Sequence, residues 1–271
     1  MILAVLAGIF IQGKTQNGIA GLVVGVILSA LGFGIGYAQL MKLRAQTKSM
    51  LMNNICTFLG WQYTEKEFES PNMDIWRKNR LMPSYDRSSF EDQMTGTAHG
   101  TRFKFCEAHL ERESRDSDGK RHWSTVFRGV LLEIEFPEKF LGKTVVLRDA
   151  GIFNRKKFSD MKRVGLVDPK FEKIFEAYGT DQVEARVLLT PTFMQRLVDL
   201  EQKFDGKKSR FGFIDRKLYI GIEAPNQFEA GSMMKPLTDS SRTQKILNEL
   251  GSIMDVIDGV MKPLEQARFG K

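Results

Sequence analysis

Hydrophobic and polar positions change rhythm along this chain. Residues 18–40 carry no charge, and Lys42, Arg44 and Lys48 follow at once. At about 1.5 Å per helical residue this run reaches the roughly 30 Å of a bilayer's hydrocarbon core, so it predicts a spanning helix that satisfies its own backbone. The first twelve residues are apolar too, but as a helix they rise only about 18 Å. The polar stretch Gly13-Lys14-Thr15-Gln16-Asn17-Gly18 between the two runs has turn chemistry, which predicts a short helical hairpin with a truncated first arm. Leu43, Met50, Leu51, Asn54, Ile55, Phe58 and Leu59 continue at helical spacing, predicting a juxtamembrane helix over 42–60 capped by Gly60.

Beyond residue 60 the rhythm becomes that of a soluble domain. From Thr101 to Phe136 the period is two, and Asp118-Gly119 between two strand-like runs predicts a β-hairpin. Val130, Leu132, Ile134 and Phe136 point one way and Glu133 and Glu135 the other, so the carboxylates are expected on a solvated face. A catalytic pair is disfavoured there, because acid and base roles need carboxylates in unlike surroundings and these look alike. Thr144–Leu147 and Arg163–Val167 predict short strands, and Phe211–Ile222 a second hairpin turning at Asp215-Arg216-Lys217.

Helix signals interrupt the strands. Asp168-Pro169 opens a helix with Phe171, Ile174 and Phe175 on its apolar face, and Asp181-Gln182-Val183-Glu184 forms a capping box. Thr190-Pro191 opens another helix, lined by Phe193, Met194, Leu197, Val198 and Phe204. Near the end, Ile246, Leu250, Ile253, Met254, Ile257 and Met261 recur by threes and fours until Lys262-Pro263. The expected architecture is α+β: a membrane helix or hairpin at 1–41, then a domain of antiparallel hairpins and several helices over 61–271.

Composition fixes the setting. The 271 residues carry a net charge of +7, and mean hydropathy is −0.26 despite the apolar start, so no second buried span is expected later. Two cysteines, Cys56 and Cys106, are too few for a disulfide framework and suit a reducing compartment as small buried hydrophobes. The start lacks a basic n-region and a small-residue cleavage site, so the apolar segment is expected to be retained. Three basic residues after the span against Lys14 before it orient the large domain toward the cytoplasm. Gly21, Gly25, Ser29, Gly32 and Gly36 offer a small-residue face where a hairpin partner or a second copy can pack.

Gly8 to Thr15 matches the phosphate-loop pattern G-x-x-x-x-G-K-[ST], but Ile9, Phe10 and Ile11 would obstruct a nest of backbone amides and the following helix is the uncharged span. Cys106 and His109 are separated by an odd offset, which on a strand sends them to opposite faces, so no zinc site, other metal or cofactor is expected. Arg155-Lys156-Lys157, Lys162-Arg163 and Lys207-Lys208 with Arg210 are basic clusters compatible with anionic lipid headgroups or with a solvated face. Nucleic-acid binding is not expected, since no helix carries a dense basic stripe with stacking aromatics.

The segment from Val164 to Met194, with its core Tyr178-Gly179-Thr180-Asp181-Gln182-Val183-Glu184-Ala185-Arg186-Val187-Leu188-Leu189-Thr190-Pro191, resembles the signature of a bacterial membrane-associated family known as domain of unknown function 3137. Leu218-Tyr219-Ile220-Gly221-Ile222 followed by Phe228-Glu229 fits as well. The resemblance implies an N-terminal membrane hairpin and this fold, and it transfers no catalytic residue. If the segment carries chemistry, Asp181, Glu184 and Arg186 are the candidates; the competing reading gives Asp181 and Glu184 to reciprocal helix capping and Arg186 to local pairing. The leading expectation is a membrane-anchored module that binds a protein or lipid partner, and the alternative is a membrane-tethered enzyme built around those three residues. The full chain in detergent is expected to show no ATP binding that Lys14→Ala removes; a nucleotide-binding assay in which Lys14→Ala abolished binding would restore the phosphate-loop reading.

Overall fold

The computed structural model describes residues 18–98, 100–149, 158, 160–166, 168–204 and 206–225, and positions 244, 247–248, 250–251, 254–255 and 257–258. The predicted arm over 1–12, Lys14, Arg155-Lys156-Lys157 and Phe228-Glu229 lie outside the described residues. Contacts group the chain into two units, Met1–Met50 with Ala230–Thr238, and Leu51–Glu229 with Asp239–Lys271.

In the first unit the described residues belong to helix α1 (Gly18–Phe58). Its apolar residues are exposed around the whole circumference, among them Val26, Ile27, Leu31, Phe33 and Ile35. By length and composition alone it is long and apolar enough to cross a membrane.

The second unit is built on an antiparallel sheet. Its strands are β1 (Gln62–Thr64), β2 (Arg87–Ala98), β3 (Thr101–Arg115), β4 (Arg121–Glu135), β5 (Thr144–Arg148), β6 (Lys162–Val164), β7 (Phe175–Gly179), β8 (Lys207–Ile214) and β9 (Lys217–Glu223), ordered β1-β2-β3-β4-β9-β8-β5-β7-β6. The helices are α2 (Met73–Lys78), α3 (Pro169–Glu172), α4 (Gln182–Leu188) and α5 (Pro191–Lys203). Both predicted hairpins form: Asp116 Oδ1 accepts from the Asp118 and Lys120 amides in the turn between β3 and β4, and β8 and β9 pair across Asp215-Arg216. The predicted helix starts are present too, with Asp168, Asp181 and Thr190 each accepting an amide in the first turn that follows.

The sheet is covered on both faces. On one face Val130, Leu132, Ile134, Phe211, Phe213 and Ile220 pack under Phe193, Met194, Leu197 and Leu200 of α5. On the other face Cys106, Leu131, Val145 and Tyr219 lie under Trp76 of α2, Leu81 and Met82. Strands β5 and β9 and the end of β8 therefore read as nearly continuous apolar runs, as strands buried on both sides do, whereas β4 is interrupted by Glu133 and Glu135. The described positions near the end are helical, and Leu250 and Ile257 are buried in the first of these clusters; Ile246, Ile253, Met261 and Lys262-Pro263 lie outside the described residues.

The structure corrects several expectations. At the end of α1 Leu51, Ile55 and Leu59 pack against the core as expected, but the fully buried residues there are Met52 and Cys56, and Met50 and Phe58 are exposed, so the buried stripe is shifted around the helix from the face drawn in sequence. Glu133 is only 8% exposed, because α2 and Tyr219 cover the face expected to be solvated. Phe175 starts β7 rather than continuing a helix, since α3 stops at Glu172 and Phe175 pairs with Arg148. The strand read over Arg163–Val167 is β6, which ends at Val164. Strand β2 was missed because a bulge between Glu91 and Met94, with Asp92 at φ 56°, shifts its alternation by one position.

The predicted cap at Gly60 is a Schellman arrangement: the Trp61 amide donates to Cys56 O at 2.7 Å and the Gly60 amide to Thr57 O at 3.1 Å, with Gly60 at φ 72°. At Gly129 the constraint is space, since a Cβ there would run into the carbonyl oxygen of Ile222 on β9. Gly60→Ala is expected to lower stability by about 1 kcal/mol through its left-handed backbone, and Gly129→Ala by about 1–3 kcal/mol through overpacking. Urea denaturation of the two variants checks this order.

Candidate functional site

The segment singled out in sequence builds a tertiary staple. Asp181 Oδ1 accepts from the Val183 and Glu184 amides, both at 2.9 Å, which starts α4. Glu184 does not return to the Asp181 amide as a capping box requires. Its Oε1 accepts from the Leu141 amide and its Oε2 from the Gly142 amide, each at 2.7 Å, more than forty residues away. Beside this clamp Thr180 Oγ1 accepts from the Lys143 amide at 2.8 Å, and the Thr180 amide donates to Lys143 O at 3.0 Å. Arg186 is exposed, and its Nε reaches Gly165 O at 3.4 Å. Glu184 and Arg186 thus sit on one short helix that Asp181 caps, and the described hydrogen bonds of all three run to backbone groups.

A second array lies across the sheet, in a groove of about 470 Å³ lined by Gly60, Gln62, Thr95, Thr97, Arg102, Lys104, Glu133, Glu135 and Lys217, among others. Register explains the gathering, because Gln62↔Thr95, Thr95↔Lys104, Lys104↔Glu133 and Glu135↔Lys217 are cross-strand partners and so share a face. Arg102 pairs with Glu135 at 2.6 Å and Lys217 with Glu133 at 2.9 Å, while Lys104 approaches Glu69 at 3.8 Å. Glu133 also accepts from Trp76 Nε1 at 3.4 Å. The two carboxylates read as equivalent in sequence therefore differ: Glu133 is roofed and Glu135 is half-exposed. Each already holds a cation, so the groove is a ladder of internal ion pairs, with Arg102 and Glu135 at its rim. Sequence reasoning missed this groove, since its lining comes from five strands; the alternation of Arg102 with Lys104 was the one local sign.

Elsewhere the unmatched polar groups are structural. Glu201 of α5 is buried, with Arg148 Nη2 on Oε1 at 2.7 Å and the amide and hydroxyl of Ser209 on Oε2, which fixes α5 to β5 and β8. Tyr63 Oη donates to Asp92 Oδ1 at 2.6 Å beneath the β2 bulge; burial first, and then the charge of Asp92, pushes its phenol up. Burial likewise pushes the Cys106 thiol up, which keeps it a neutral thiol rather than a nucleophile. Among the described residues no group of three or more His, Cys, Asp or Glu side chains converges as a metal site.

The basic clusters are partly neutralised where they are described. Lys208 and Arg210 both pair with Glu223, at 3.2 and 2.6 Å, and Arg163 approaches Glu176 at 3.9 Å. Lys42 is exposed and Lys48 half-buried, while the side chain of Arg44 lies outside the described residues. Ser29 is half-buried, Gly32 and Gly36 have open space beside them, and the surroundings of Gly21 and Gly25 are outside the description.

A family model described as "Protein of unknown function (DUF3137)" matches residues 125–262. A comparison with the curated proteins gives no match. Among solved structures, the crystal structure of the mycobacterial trehalose monomycolate transport factor A, TtfA, is similar at 9% identity and a TM-score of 0.37, covering 79% of this chain and 96% of that one. A likeness so distant transfers nothing about function. From the staple geometry, Glu184→Gln is expected to cost about 1–3 kcal/mol, since it sets an amide NH₂ against a donor, and Arg186→Lys less than about 0.5 kcal/mol. Thermal melts measured beside an in vivo phenotype check this; lost function with unchanged melting in either variant would move these residues from scaffold to chemistry.

Proposed function

The chain belongs to the DUF3137 family, whose model spans β4 to the last described helical positions, and on that premise we propose that it is a membrane-anchored interaction module. The carrying observation is the apolar surface of α1. A helix in water buries one stripe, but Val26, Ile27, Leu28, Leu31, Phe33, Ile35 and Leu43 together project around every side of α1 and all are exposed, which suits lipid as the surrounding medium. In this reading residues 18–40 cross the bilayer and 1–41 form the anchor, whether as one span or a short hairpin. Residues 42–60 follow as the juxtamembrane helix, and 61–271 form the cytoplasmic α+β domain.

Lys42, Arg44 and Lys48 favour a cytoplasmic position for that domain in a bacterial inner membrane and suit anionic headgroups at its surface. The small-residue face of Gly21, Gly25, Ser29, Gly32 and Gly36 supports packing against a second membrane helix, from the same chain or another copy. The domain supplies a stiff surface for a protein or lipid partner: its central strands are buried on both faces, and the charges in its groove hold one another.

The full chain is expected to stay in the membrane fraction through an alkaline carbonate wash. A C-terminal fluorescent fusion should be bright, and a C-terminal alkaline phosphatase fusion inactive. Ile27→Lys combined with Leu31→Lys should release the chain, each lysine costing about 2.5–3.5 kcal/mol at the span centre. A wild-type chain found in the soluble fraction, or an active phosphatase fusion, would overturn the anchoring or its orientation.

A further inference from the structure

Strand β2 pairs with β3 on its inner side, but on its outer side β1 covers only positions 93–95. The open part has defined ends. At one end the Asp92 amide is taken by Glu65 O, and at the other Asp86 is engaged inward with β3, its amide on Glu111 O and its carboxylate on the Glu113 amide at 2.8 Å. Among the described residues no strand lies beside 87–91. An edge of this kind presents backbone donors and acceptors that can recruit another strand, and proteins commonly blunt it with lysine, proline or a bulge. The stretch Arg87-Ser88-Ser89-Phe90-Glu91 has no lysine and no proline, and the bulge falls beyond it, between Glu91 and Met94.

The two charges of this stretch are opposite in sign and stand at its ends. Arg87, Ser89 and Glu91 share a face of the strand and lie across from Glu111, His109 and Glu107 of β3. Arg87 is exposed, pairs with Glu111 and lies 4.0 Å from the centre of the Trp123 ring. Glu91 is half-buried, faces an acid across the strand, and has no ion pair among the described residues. Like charges directly opposite weaken a strand pair, so a cation on the outer side of β2 would relieve Glu91.

We infer that this edge pairs with the same edge of a second copy, antiparallel about a twofold axis at Ser89. The ends fix the register, because a twofold that uses the whole of 87–91 and stops short of Asp86 and Asp92 has its axis there. That register sets Arg87 opposite Glu91 of the second copy, and the symmetry forms the pair twice. Each Arg87 then lies between its own Glu111 and the other chain's Glu91, while the two copies of Glu91 stand about 14 Å apart along the strand. Exposed Ser89 is small enough for the chains to meet at the axis, and half-buried Phe90 is flanked by Ser88 of the second copy. An unrelated extended segment can also add to an open edge, but it has no built-in match to opposite charges at this spacing, and a second copy always does. This self-contact stands on β2 alone and goes beyond the reading of the chain as an anchored module.

The test is disulfide trapping of the full chain with Ser89→Cys, in a cell lysate oxidised mildly with copper phenanthroline. Opposed residues of antiparallel strands have Cα atoms about 4.5–5.5 Å apart, within disulfide reach, and the native Cys56 and Cys106 are buried. The expected result is a disulfide-linked homodimer at about ten times the yield of Ser114→Cys, which is exposed on β3 outside this edge. Adding Glu91→Arg should lower that yield about tenfold, since it opposes two cations between copies while it meets Glu107 favourably within its own chain. Melting of the reduced variants checks that they fold. A mixture of Arg87→Cys chains with Glu91→Cys chains tests the register independently, and should give a disulfide that neither variant gives alone. A Ser89→Cys dimer no more abundant than the Ser114→Cys one, a yield indifferent to Glu91→Arg, a disulfide to a different protein, or a homodimer from Arg87→Cys alone would overturn the proposal. Fractionating the same lysate separates the readings, because a chain in the membrane fraction without the Ser89→Cys dimer refutes the edge and leaves the anchor standing.

Discussion

Leu131 and Leu132 are adjacent in β4, point to opposite faces of the sheet, and are both buried. A strand in that position cannot leave either face to water, so the rest of the domain is arranged to cover it twice. On one side the cover is α5, the end of α1 and the helical positions around Leu250; on the other it is α2 with the chain that follows it. Strand β9, paired to β4 along Gly129–Glu135, has the same requirement, and Leu218 and Tyr219 meet it on opposite faces.

Two-sided cover also decides the fate of the charged residues that fall within it. A carboxylate taken out of water costs several kcal/mol unless donors replace the lost hydration. Glu201 receives Arg148 and both donors of Ser209, and Glu133 receives Lys217 and Trp76. These bonds join elements distant in sequence, so they set positions between layers as well as satisfying charge. The groove is where this arrangement reaches the surface: the same ladder of charges runs from roofed Glu133 to half-exposed Glu135.

Asp181 and Glu184 show how far local reading extends. The cap by Asp181 follows from the residue's own reach to the next two or three amides, and it was legible. Glu184 sits at the spacing of a capping box, yet its carboxylate is taken by two amides on the loop after β4. Two donors presented together bind a carboxylate better than one, and their arrival depends on how β5 and β7 pair rather than on anything within the helix. The same cause hid β2, whose bulge breaks the period, and turned Phe175 from a helical position into the start of a strand.

By itself, the sequence determined the features that arise within a few residues or along one helix: the uncharged run at 18–40, the two hairpin turns, the helix starts at Asp168, Asp181 and Thr190, the stop at Gly60, and the α+β class. Each depends on local backbone chemistry or on a repeat of apolar positions, which are printed in the order of residues. Only the tertiary structure decided which face of each strand is dry, where Glu133 and Glu184 find their donors, and which hydrophobes stay outside. Those outcomes depend on what packs across a strand from elsewhere in the chain. Alternation records that a strand has two faces, and it is silent on whether one or both are covered.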